Sequence, residues 1–215
     1  MDRKYIIFIA ILITVVGISQ AVAQERIVDQ HKKIDQLIQK LINLPYGQWN
    51  QASEDIKEIG DPLIESLLEM ARKAETGEGA WRRIEWNQRR VAWALGEIGT
   101  EKAISSLVKI LQDTTLNIYG RTEAARALGR SGSENAVDPL IKVLNDNNFE
   151  PVLRRGAGYG LGDLQAETAM PHLINALNEK NMRIRMGAVY ALGKIGTDEA
   201  VDGLMKALAD TDGFI

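Results

Sequence analysis

The chain has 215 residues, 45% hydrophobic and 26% charged, with no cysteine, two histidines and a net charge of −3. These values describe a folded chain and not a disordered, collagen-like or disulfide-stapled one. They exclude thiol nucleophiles and thiolate metal sites, leave few ways to build a catalytic base or zinc cage, and lack the basic surplus with which nucleic-acid proteins neutralise phosphates.

Residues 1–23 carry Arg3 and Lys4 near their start, continue as an apolar run from Tyr5 to Val16, and end in Ala21, Val22 and Ala23. A basic start, an apolar stretch of about a dozen residues and small residues at −3 and −1 form the pattern of a secretory signal peptide. Cleavage is expected after Ala23, which would send the mature chain to the periplasm or outside the cell. The alternative is an uncleaved anchor, because Ile6 to Ala23 spans 18 mostly apolar residues, close to the ~20 that cross a bilayer. Gly17, Ser19 and Gln20 weaken that alternative. Membrane contact is expected only through this segment, if it stays uncleaved.

Residues 24–47 read as a capping helix or a degenerate repeat, in which Asp35 to Asn43 (DQLIQKLIN) resembles Asp138 to Asp146 (DPLIKVLND). A second faint copy follows at 58–71, EIGDPLIESLLEMA. Then the pattern sharpens. ALGEIG (94–99), ALGRSG (127–132), GLGDLQ (160–165) and ALGKIG (191–196) superpose at offsets of 33, 33 and 31 residues. Each precedes an apolar segment of one design: AISSLVKIL (103–111), AVDPLIKVL (136–144), AMPHLINAL (169–177) and AVDGLMKAL (200–208). Apolar residues at positions 1, 2, 5, 6 and 9 of each segment form the stripe of an amphipathic helix. Each unit is therefore a pair of helices, with approximate limits 48–74, 80–113, 118–147, 151–180 and 182–212, and an insertion around Glu75 to Gly79.

The punctuation agrees. Gly99, Gly132 and Gly196 stand where a positive φ closes the first helix of a pair, and Thr100, Ser133 and Thr197 follow as caps for the second. The third unit has Gln165 and Ala166 instead, so its turn is expected to be less sharply set. No run of β-branched and aromatic residues alternates with period 2, and no strand is expected.

Ankyrin and tetratricopeptide signatures are missing. The units resemble the HEAT family, specifically its short variety known from phycobilisome-lyase-type repeats, in which an arginine precedes an A-A-x-A-L-G-x-I-G core. Arg121, Ala124, Ala125, Ala127, Leu128 and Gly129 match that core, as do Arg185, Ala188, Ala191, Leu192, Gly193, Ile195 and Gly196. Arg154 matches in the third unit, and Gln88 replaces the arginine in the second. The resemblance covers roughly residues 50 to 215 and implies an all-α, right-handed α-solenoid of stacked antiparallel helix pairs. It also implies relatives that attach or remove bilin chromophores.

Few residues offer chemistry. The glycines of GAGYGLG (156–162) miss the G-x-G-x-x-G spacing and follow no strand, so they read as close helix packing. His31 and His172 have no second ligand at metal spacing, and the chain lacks the His-Glu pairs with which some HEAT-like hydroxylases hold iron. Ser131 misses G-x-S-x-G and reads as a turn residue. No catalytic, cofactor or metal site is expected, and no small-molecule substrate is evident.

Two sets of residues remain. Arg121, Arg154 and Arg185 stack in register, each after an acidic residue at the end of the previous helix, Asp113, Asp146 and Glu179. They suggest an inter-repeat ladder of charged hydrogen bonds, with anion binding as the alternative. Trp93, Tyr159 and Tyr190 share one column of the first helices, with Arg126 in the remaining unit. Trp81, Arg82, Trp86 and Arg89 precede Trp93 on one long helix whose core stripe is expected to be Ile84, Val91, Leu95 and Ile98. Tryptophan and arginine are enriched in binding hot spots, so this aromatic set is the candidate protein-contact surface; covering of the seams between repeats is the alternative.

These features point to a non-enzymatic exported scaffold that binds an unidentified protein. A bilin-lyase-like enzyme, a chromophore-binding chaperone and a structural subunit of an envelope assembly stay open beside it. Gly213 to Ile215 fall just before the position of a next arginine, which suggests a longer array or a last helix packed on another subunit.

Overall fold

The computed structural model describes residues 3–45, 47–73 and 79–209, with side chains from Ser19 to Leu208. The start of the predicted signal segment, most of the insertion after Lys73 and the segment Gly213 to Ile215 lie outside the described residues or side chains. The chain divides into two compact units, Met1–Asn43 and Leu44–Ile215. The first unit is a single helix, α1 (Arg3–Asn43), which runs through the predicted cleavage position without a break. Among the described residues no helix is long and apolar enough to cross a membrane.

The second unit is built from helix pairs. A short 3-10 turn at Trp49–Ala52 leads into α2 (Ser53–Ile59) and α3 (Ile64–Arg72). Four fuller pairs follow: α4 (Ala80–Ile98) with α5 (Glu101–Gln112), α6 (Ile118–Arg130) with α7 (Val137–Asn145), α8 (Pro151–Asp163) with α9 (Met170–Ala176), and α10 (Met182–Ile195) with α11 (Asp198–Ala209). The described residues contain no strand, so the architecture is an all-α solenoid.

The apolar periodicity becomes the core. Leu67, Leu107, Leu140 and Leu173 hold the same position in successive second helices, and all four are fully buried. Each such side chain stabilises the fold by about 2 kcal/mol relative to exposure. Proline at 62, 139 and 171 sits within the opening turns of three second helices, where a missing N–H costs nothing. There the helix begins as a 3-10 turn, at Asp61–Leu63, Glu134–Ala136 and Glu167–Ala169.

The turns are more uniform than the sequence suggests. Gly99, Gly132 and Gly196 have φ of 65°, 68° and 66°, and Gln165, in the glycine position of the third unit, has φ 50°. Its amide donates to the Gly162 carbonyl at 3.0 Å and the Ala166 amide to the Leu161 carbonyl at 3.1 Å. Those are the two bonds of a Schellman motif, so the third turn is set as firmly as the others, at the cost of a left-handed non-glycine residue. Thr100 and Thr197 cap α5 and α11 by accepting from Ala103 and Ala200, each at 3.3 Å. Ser133 makes no such cap; its amide is instead held by the Ser131 hydroxyl at 3.2 Å.

The first helices touch through backbone. A methyl added to Gly129 would stand 2.5 Å from the Gly160 Cα, one on Gly158 would stand 2.8 Å from the Gly187 carbonyl carbon, and one on Gly162 would stand 2.7 Å from the Ala191 Cα. The GAGYGLG segment is thus a contact face of α8, where side chains are absent so that α6, α8 and α10 can approach.

Candidate functional site

The arginine column lies where the first helix of one unit meets the end of the previous second helix. Arg121 Nε donates to the Leu111 carbonyl at 3.1 Å, and Arg154 Nε donates to the Leu144 carbonyl at 2.7 Å. Gln88, which replaces the arginine in the second unit, keeps the role: its Nε2 donates to the Ala71 carbonyl at 3.2 Å while its Oε1 accepts from the Asn117 amide at 2.7 Å. Arg185 Nη1 donates to the carbonyls of Glu179 and Lys180 at 2.8 and 2.9 Å. The last carbonyls of a helix have no partner within it and carry the negative end of its dipole, so a buried cation there satisfies both.

The expected acidic partners are therefore corrected. Asp113 accepts from the Thr115 amide and hydroxyl at 2.9 and 2.6 Å, and Asp146 accepts from the Asn148 amide at 2.9 Å; both close local turns. The Thr115 bonds hold the Asp113 carboxyl below the usual carboxylate range, and the charges of Arg121 and Arg72 add to this. The carboxylates that reach the arginines come from farther along the chain. Glu150 stands 3.6 Å from Arg121, and the Glu179 side chain pairs with Arg154. Backbone carbonyls carry no sequence signature, which is why the partners could not be read from the column alone.

The aromatic candidates separate into three places. Trp81 is 61% exposed, with the Arg82 guanidinium 5.0 Å from its ring centre. Trp86 and Trp93 are half-buried and face Trp49, with ring centres 6.3 and 5.9 Å away. Trp49 is buried, and sequence reading missed it because it lies in a 3-10 turn outside the clear repeats. Arg89 lies 4.7 Å from the Trp86 ring and 3.5 Å from Glu85; Arg90 lies 5.8 Å from the Trp49 ring and donates to the Leu44 carbonyl at 3.1 Å. Burial pushes the Arg90 guanidinium below its usual pKa. The expected core stripe of α4 is only half realised: Val91 and Leu95 are buried with Asn87, Gln88, Ala92 and Ala94, while Ile84 and Ile98 are half-buried.

The third place spans α6, α8 and α10. Tyr159 and Tyr190 pack edge to face with ring centres 4.8 Å apart. Arg126 and Arg155 lie 5.4 and 5.8 Å from the Tyr159 ring, and Lys194 lies 5.7 Å from the Tyr190 ring. The Tyr190 hydroxyl donates to Asp163 at 2.5 Å, which, with some burial, raises its pKa above the ordinary phenol value. Arg155 is the residue that column matching overlooked. Its spacing of i, i+4 from Tyr159 on one helix is the signal that could have found it.

His172 Nδ1 stands 2.9 Å from the Asn145 amide nitrogen, and the Ser131 hydroxyl donates to the Leu128 carbonyl at 2.6 Å. Among the described residues no group of three ligating side chains is placed to hold a metal ion.

A family model described as HEAT repeats matches residues 85–152 and 147–215. The complex of CpcE and CpcF of phycocyanin lyase from Nostoc sp. PCC7120 is similar at 22% identity, over 80% of this chain and 69% of that one, with a TM-score of 0.50. Human deoxyhypusine hydroxylase aligns at 19% identity over 86% of this chain and 92% of its own, with a TM-score of 0.37. A designed armadillo repeat protein in complex with the peptide (KR)4 aligns at 20% over 81% and 87%, with a TM-score of 0.44. No curated protein matches the chain. At these identities the likeness to the phycocyanin lyase complex is one of fold. The repeat match spans more than half of the residues, and the chain belongs to the HEAT-repeat family.

Proposed function

We propose that the chain is an exported, non-enzymatic scaffold that binds a protein partner through the outward faces of its first helices. The observation that carries this reading is the row of half-exposed rings and cations at equivalent positions of α4, α6, α8 and α10: Trp93, Arg126, Tyr159 and Tyr190. Aromatic rings supply rigid contact area and arginine supplies directional hydrogen bonds, as hot-spot residues do. Trp81 and Arg82 stand exposed at the start of α4 and add a ring and a cation to the surface of the first helices. Affinity capture from the envelope fraction tests it, comparing the wild-type chain with a Trp81→Ala/Tyr190→Ala variant of equal melting temperature. Equal recovery of the same protein by both would remove the face from consideration. Export rests on the pattern of residues 1–23, and N-terminal sequencing of the chain from a periplasmic or secreted fraction should begin at Gln24.

A second reading follows from the likeness to the phycocyanin lyase complex: the chain handles a bilin, as a lyase or a carrier. Incubation with a bilin and an acceptor protein separates the two readings. A covalent adduct, or a shift of the bilin absorption band on mixing, would favour the second.

A further inference from the structure

We propose that Arg126 and Arg155, with Tyr159 between them, receive a carboxylate side chain of an acidic segment in the partner protein. This rests on the scaffold reading and names the chemistry of what the face binds.

The argument begins with which cations are already neutralised. On the same first helices, Arg89 has Glu85 at 3.5 Å and Arg130 has Glu123 at 3.0 Å. Arg126 and Arg155 have neither an ion pair nor a hydrogen bond among the described residues, and the Arg155 Nε is buried without an acceptor. Both are half-buried, so their charge is less screened than that of a fully solvated side chain. Lys194 adds a third cation one ring away. Asp163 accepts from the Tyr190 hydroxyl and keeps its negative charge, which offsets part of the cluster. A local excess of positive charge thus stands on a chain whose net charge is −3.

The geometry selects a carboxylate. A guanidinium held against a ring leaves its N–H fork free at the edge, and that fork matches the two oxygens of a carboxylate. The surroundings select a protein segment over a free anion. Met182, Met186 and Tyr190 lie at i, i+4 and i+8 on α10 and are 62%, 41% and 37% exposed, an apolar strip that ends at the Tyr190 ring. A ligand that uses both must carry apolar and acidic groups on one backbone.

The test is fluorescence anisotropy with a short labelled peptide of alternating glutamate and leucine, titrated with the full chain. Saturable binding that weakens with added salt is expected, with a loss of about tenfold for R126Q and for R155Q, or 1.4 kcal/mol each. Circular dichroism melting checks that both variants fold; R126K and R155K, which keep the charge but lose the fork, should fall between wild type and the glutamine forms. Equal affinity for a lysine–leucine peptide, or unchanged affinity in R126Q and R155Q, overturns the proposal. If the carboxylate site fails but capture of the envelope partner still depends on Trp81 and Tyr190, only this inference is lost. If capture is also independent of those two, the scaffold face itself is wrong.

Discussion

Arg154 on α8 and Glu179 after α9 form an ion pair across the two helices of one unit, while the same guanidinium reaches back to the Leu144 carbonyl of the previous unit. One side chain thus fastens three helices. Arg154→Ala should lower the unfolding free energy by about 2–3 kcal/mol, because it strands a helix-end carbonyl and a carboxylate together. Glu179→Gln should cost less, since the Leu144 bond survives. Denaturant midpoints for the two variants check the order, and equal values would show that the carbonyl bond adds nothing.

Gln165 occupies a left-handed backbone position that glycine holds in three other units. Gln165→Gly should raise stability by about 1 kcal/mol, and Gly132→Ala should lower it by a similar amount. Thermal melts of both variants, run against the wild type, give the sign directly.

Glycines at different positions of the first helices face different surroundings. A methyl on Gly158 meets the Gly187 backbone, whereas one on Gly193 meets nothing within 4 Å. Gly158→Ala should destabilise by about 1–3 kcal/mol through overpacking, and Gly193→Ala should stabilise by up to ~1 kcal/mol through helix propensity. The same substitution with opposite signs separates the two effects.

Trp49 is the hub of the tryptophan group. Trp49→Ala should cost about 3 kcal/mol and expose Trp86 and Trp93 to water, seen as a red shift of the remaining fluorescence. An unshifted spectrum would mean that the two rings do not rely on Trp49 for cover.

The Tyr190 hydroxyl donates to Asp163, and its pKa is raised by that bond first and by burial second. A raised folded value means the bond's stabilisation is complete below the unfolded phenol pKa of about 10 and is lost as pH rises through the folded one. Tyr190→Phe should remove this alkaline loss. Spectrophotometric titration should show the wild type keeping one late-titrating phenol that the variant lacks.

The helix pairs were legible because period and punctuation agree: Leu107, Leu140 and Leu173 recur in register and are buried, and Gly99, Gly132 and Gly196 turn the chain. Gln165 was misjudged because residue type predicts what a turn prefers, while the neighbouring helices decide what it adopts. The arginine column could be seen, yet its acceptors are carbonyls that any residue supplies. Trp49 and Arg155 escaped for a related reason. Each matters through what another segment brings to it, Trp86 and Trp93 in one case and Tyr159 in the other.

The bare faces of the first helices also set how the array can change in length. Gly129 meets Gly160, and Gly158 meets Gly187, so each helix offers its successor a backbone where a side chain would stand. Duplicating a whole unit brings like against like, and the stack closes around the new member. A break between a first helix and its second would instead press a leucine-rich face on a glycine backbone and open voids beside it. Growth and loss are thereby restricted to steps near the 33-residue offset of the units, a quantum imposed by main-chain contact.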